Sequence, residues 1–113
     1  LQPDSVAMRS LYCAEFILNQ HGELIELNGR AIALLNRARD VALGTSFGDF
    51  LKNKVAFRGA FEELLNQQVM EHIEVEFESP SVYRCSFFLR GSLFHTEEKW
   101  TQGAIIQVVA PHR

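Results

Sequence analysis

Between residues 57 and 77 the apolar residues change their period, and that change constrains the fold more than any other feature of the sequence. Phe57, Ala60, Phe61, Leu64 and Leu65 recur at three- and four-residue spacing, which places them on one face of a helix. From Met70 the spacing drops to two. Ile73, Val75 and Phe77 alternate with His72, Glu74, Glu76 and Glu78, the pattern of a strand with one buried and one charged face. Ser79-Pro80-Ser81 makes a turn, and Tyr83, Cys85, Phe87 and Leu89 then alternate with Arg84, Ser86, Phe88 and Arg90. Glu on one outer face and Arg on the other favour antiparallel pairing of the two runs. A polar stretch from Gly91 to Gln102 precedes a last strand, AIIQVVA, that stops before Pro111.

The front half is punctuated differently. Pro3 and Asp4 are good first-turn residues for a short helix carrying Val6, Met8, Leu11 and Tyr12. AEFIL and ELIEL are short apolar runs separated by Asn19-Gln20-His21-Gly22, which reads as a β-hairpin. Asn28 is a good helix N-cap for GRAIALLNRA, where Ala31, Leu34, Leu35 and Ala38 share a face. Gly44 ends that segment, and Thr45-Ser46 caps a short turn holding Phe47, Phe50 and Leu51. Gly59 lies inside the long helix at a cost of about 1 kcal/mol relative to Ala, with close packing as its expected reason. Strands at both ends and helices between them predict an α+β fold, an antiparallel sheet with helices on one face.

Bulk properties exclude several classes. With 113 residues the chain holds one domain. Its net charge of −3 and the lack of a Lys/Arg cluster argue against nucleic-acid binding, which needs a basic face. Cys13 and Cys85 are far apart in apolar stretches, which fits buried free thiols in a reducing compartment better than a stapled scaffold. No apolar run approaches the length of a membrane span, and direct membrane contact is not expected. The ends, Leu1 and Arg113, carry no polar tails, as expected of a segment cut from a longer protein.

The order and spacing of these words resemble a PAS domain, the sensory box of bacterial signalling proteins. The matching segments are FILNQHGELIELNGRAIALL in front and MEHIEVEFES, VYRCSFFLRG and GAIIQVVA behind, covering about residues 13 to 110. Asn19 stands where Asp is usual in the hairpin turn, a role Asn also serves. Gly22, Asn28 and Ala31 fit directly, as does Gly44 with Phe47 and Leu51. One departure concerns the end of the last strand. The family often has Asp-x-Thr there, whereas Ala110, Pro111 and His112 stand here, so the chain is expected to turn away at Pro111.

The resemblance implies a PAS-like five-stranded antiparallel sheet with short helices on one face and an N-terminal helix. Residues 1–12 would form that helix, 13–110 the PAS domain, and 111–113 the start of a linker to an output domain. The parent would be a histidine kinase or a diguanylate cyclase or phosphodiesterase of cyclic-di-GMP signalling, and the module cytoplasmic. Flavin adduct formation needs a Cys in the central helices, where only LLNRARDV stands, and haem-binding relatives use a His on the long helix, which KVAFRGAFEELLNQQ lacks. The cofactor is therefore left undetermined, with none as the first choice.

Nothing in the chain points to catalysis. His21, His72, His95 and His112 make no pair at metal-ligand spacing, and neither cysteine has a CxxC partner. Glu74, Glu76 and Glu78 share a strand face with arginines and read as a solvated face, not as paired acids. What remains is recognition. By alternation, candidates for an inner pocket are Ile25, Leu27, Leu35, Phe47, Phe57, Phe61, Val75, Phe77, Cys85, Phe87 and Ile106, with Ile17, Ile73, Leu89 and Val108 also inward. Plain core packing is the competing reading for each. On the opposite face Phe88, Ile105 and Val109 would need cover, either from the N-terminal helix through Val6, Met8, Leu11 and Tyr12 or from a second copy, and the resemblance implies that this helix and face form a two-fold homodimer contact. A sensor that takes a small molecule and a ligand-free dimerisation module are the two readings.

Overall fold

The computed structural model describes residues 14–67, 69–78, 86–95 and 102–111. The N-terminal helix and its Val6, Met8, Leu11 and Tyr12, together with Cys13, Tyr83, Arg84, Cys85 and His112, lie outside the described residues.

The hairpin forms from β1 (Glu15–Asn19) and β2 (Leu24–Leu27). Asn19 organises its turn: its Oδ1 accepts from the backbone N–H of His21 at 2.9 Å and of Glu23 at 3.0 Å. Gly22 completes the turn at φ +81°, a conformation that side chains with a Cβ rarely adopt. The pairing then slips. Ile17 stands opposite Glu26, but Leu18 stands opposite Leu24, so Ile25 is an extra residue on β2. This bulge restarts the alternation. Leu24 and Leu27 point inward, and Ile25, expected inside, is 49% exposed. On β1 the buried residues are Phe16 and Leu18; Ile17, also expected inside, shares the outer face with Glu15 and Asn19.

Asn28 caps α1 (Gly29–Leu35) by accepting from Ala31 N–H at 2.9 Å, and the same oxygen accepts from Glu15 N–H at 3.2 Å. One side chain thus fixes the helix start to the first strand. α1 ends earlier than its apolar pattern suggests, because Asn36 turns left-handed at φ 55°. Ala38 is exposed and precedes a second short helix, α2 (Arg39–Ala42), instead of extending the first. Gly44, at φ +85°, turns the chain into a 3-10 turn at Phe47–Phe50 and then α3 (Lys54–Gln67). Phe57, Phe61 and Leu64 are buried on α3, with Ala60 and Leu65 partly buried beside them. Gly59 is exposed, and a Cβ there would meet nothing within 4 Å, so close packing is not its reason.

The back half supplies β3 (Val69–Glu76), β4 (Ser86–His95) and β5 (Gln102–Pro111). β4 runs on through Gly91–His95, a stretch whose polarity suggested a loop. Gly91 faces the core there, and its missing Cβ leaves room for Ile106, Leu64 and Met70. β5 includes Pro111, opposite Phe87, so the ladder continues one residue past the expected stop. All five strands form one antiparallel sheet in the order β2-β1-β5-β4-β3, with β5 joining the opening hairpin to the last strands.

The helical segment also bonds to both edges of this sheet. Leu24 N–H donates to Thr45 O at 2.8 Å and Gly44 N–H to Leu24 O at 2.7 Å on the β2 side. At the other edge Lys52 N–H donates to Glu76 O at 2.9 Å and Glu78 N–H to Phe50 O at 2.7 Å. Residues 44–52 therefore cross the inner face from edge to edge and occupy backbone groups that would otherwise invite strand addition.

Candidate functional site

The hollow beneath that crossing segment is filled by aromatic rings. Phe47 is its hub, with ring centroids 4.7 Å from Phe16, 5.0 Å from Phe57 and 6.2 Å from Phe77. Phe57 stacks on Phe61 at 5.8 Å, and Phe77 meets Phe87 edge-on at 5.8 Å. These separations are those of rings in contact. Leu27, Leu35, Val75 and Ile106 are buried in the same cluster, as are Leu89 and Val108, while Ile73 packs partly buried against it. Of the inner candidates, Ile25 points to solvent and Cys85 is outside the described residues. Sequence reasoning missed Phe16 and Leu18, although a signal was there: Glu15 and Asn19 share the parity of Ile17, and two polar residues mark a strand's wet face.

Among the described residues no polar or charged side chain is buried as a whole, although Asn53 Oδ1, just before α3, is buried without a hydrogen-bond partner. Such a lining offers dispersion and hydrophobic contact, with no donor or acceptor from a side chain to orient a polar ligand. A surface cleft of about 80 Å³ opens beside it between the hairpin turn and the start of α3, lined by His21, Asp49, Lys54, Arg58, Phe57 and Phe61. Among the described residues no group of three His, Cys, Asp or Glu side chains could hold a metal ion. No described helix is long and apolar enough to cross a membrane.

The outer face has another character. Ile17, Phe88, Ile105 and Val109 stand on it partly buried, and a bulge makes Val109 an extra residue opposite β4. Three polar residues cross it in register. Arg90 Nε donates to Gln107 Oε1 at 3.0 Å, and Gln107 Nε2 donates to Glu15 Oε2 at 2.9 Å. Of the charges expected to meet across β3 and β4, Arg90 thus turns to β5, and Glu76 binds Lys52 at 2.9 Å.

No protein-family model and no curated protein matches the sequence. Solved structures do match the fold. The PAS domain of an HTR-like protein from Haloarcula marismortui superposes with a TM-score of 0.66 at 18% identity, covering 94% of this chain and 92% of that one. A PAS domain from a two-component sensor histidine kinase matches with a TM-score of 0.64 at 17% identity over 98% and 100% of the two chains. The histidine kinase ThkA, solved in complex with the response regulator TrrA, matches with a TM-score of 0.67 at 20% identity; the match covers 96% of this chain and 30% of the kinase. With its strand order, its helical crossing segment and these superpositions, the chain has the PAS fold.

Proposed function

We propose that this chain is a sensory or regulatory module of a signal-transduction protein, working as a homodimer through the outer face of its sheet. The observation that carries this reading is the set of apolar side chains on that face, Ile17, Phe88, Ile105 and Val109, on a fold whose described inner phenylalanines pack against one another. Each of those outer side chains is already partly buried in the single chain, and a second copy would cover the apolar area that stays accessible. Val6, Met8, Leu11 and Tyr12 of residues 1–12 would add to the contact. Residues 13–110 would be the sensory body and 111–113 the start of a connection to a fused output domain. ThkA supports a histidine kinase parent, because a matching fold forms part of that kinase; a diguanylate cyclase or phosphodiesterase is the other parent in this reading. The module itself would be cytoplasmic and non-catalytic. Sedimentation of the chain and of Leu11→Asp and Phe88→Asp variants tests the dimer. The reading expects the dimer to be lost in the variants, and an unchanged monomer mass in all three would remove it.

The second reading is that a small apolar molecule enters the hollow, favoured by the apolar lining that the described residues give it. Native mass spectrometry of the purified chain tests it: a retained mass supports it, and the bare chain mass alone speaks for the ligand-free module.

A further inference from the structure

We infer that the row Glu15–Gln107–Arg90 sets the orientation of the partner copy, so that β5 runs in the same direction in both subunits. This rests on the reading of the outer face as a homodimer surface and adds its geometry. Arg90 stands opposite Gln107, and Gln107 opposite Glu15, so the row crosses β4, β5 and β1 at one level of the sheet. With strands spaced about 4.8 Å apart, its ends are separated by about 10 Å, positive at β4 and negative at β1. The neutral amide of Gln107 links them, donating at one end and accepting at the other. Among the described residues neither Arg90 nor Glu15 makes an ion pair. Each lies at the margin of the apolar strip formed by Ile105 and Val109, two residues either side of Gln107, with no opposite charge paired to it among those residues.

Two sheets packed face to face by a two-fold axis have few ways to meet. An axis along β5 reverses the row in the second copy, so that Arg90 of each subunit lies over Glu15 of the other and the strands run the same way. An axis along the row sets Arg90 over Arg90 and Glu15 over Glu15, with the strands opposed. Like charges at a closing interface cost far more than they do in water, and opposite charges fix register. The row is thus self-complementary in one arrangement only. In that arrangement both β5 strands leave the sheet at the same end, which suits a module that feeds two copies of one output domain.

Mixing charge-reversed chains tests this. Arg90→Glu places Glu against Glu in its own dimer, and Glu15→Arg places Arg against Arg, so each alone is expected to weaken self-association by about 100-fold or more. Mixed at equal concentration, the two variants restore both opposite-charge contacts and are expected to form a heterodimer within about tenfold of the affinity of the unaltered chain. Sedimentation of differently labelled chains reads all of these species, with circular dichroism confirming that each variant is folded. If a reversal unfolds the sheet, Arg90→Gln and Glu15→Gln take its place, and a dimer weakened by neither overturns the inference. An unaltered chain that dimerises while the mixed variants stay monomeric also overturns it, as does pairing of Arg90→Glu with the unaltered chain more tightly than the unaltered chain pairs with itself, the mark of Arg90 facing Arg90. A monomeric unaltered chain removes the dimer reading itself, and this inference with it.

Discussion

The two faces of the sheet are made from the same strands, yet they solve opposite problems. On the inner face every described strand side chain that points beneath the crossing segment is apolar, and the rings of Phe16, Phe47, Phe57, Phe77 and Phe87 touch one another. On the outer face the apolar side chains Ile17, Ile105 and Val109 remain partly accessible and are crossed by the Arg90–Gln107–Glu15 row. The inner face is core, where a polar row of this kind would be costly. The outer face is one that a second surface can complete, and there the row adds specificity at little cost because water still reaches it. A single alternating pattern encodes both, and the degree of burial separates core from contact surface.

The largest test of this contrast is at the hub of the inner face. Phe47→Ala removes a fully buried ring in contact with three others and is expected to destabilise the chain by about 3–5 kcal/mol, read as a lower urea midpoint with an unchanged slope. A loss below about 1 kcal/mol would mean that the hollow is loosely filled and open to a ligand.

The bulge in β2 sharpens the contrast between adjacent residues. Leu24→Ala is expected to cost about 2–5 kcal/mol, whereas Ile25→Ala one position on is expected to stay within about 0.5 kcal/mol, by chemical denaturation. Equal losses at the two positions would break the assignment of faces in this strand.

The smallest effect lies away from both faces. Gly59 is exposed in the middle of α3 with open space where a Cβ would go, so Gly59→Ala is expected to stabilise by about 0.4–1 kcal/mol. A higher melting temperature checks it; a lower one would show that something covers α3 at that point.

Much of this was legible in the residues themselves. The three- and four-residue spacing of Phe57, Phe61 and Leu64 and the two-residue spacing of Val75, Phe77, Phe87 and Leu89 placed the long helix and two strands with their correct faces. Asn19 and Asn28 announced a turn and a cap because their side chains satisfy backbone groups only a few residues away. The placement of Phe88, Ile105 and Val109 on the outer face followed from the same alternation.

Other features depended on partners distant in the chain. The bulge that turns Ile25 outward is a mismatch between two strands, and no property of ELIEL alone reveals it. The extension of β4 through Gly91 depends on β5 pairing beside it and on Ile106, Leu64 and Met70 using the space a side chain would take. The second bond of Asn28, to Glu15, and the edge-to-edge crossing of residues 44–52 join segments that meet only when the sheet forms. Local period and capping chemistry act over a few residues and can be read there. Register, bulges and the Arg90–Gln107–Glu15 row are settled by which strands become neighbours, and that is decided by burial of the whole core.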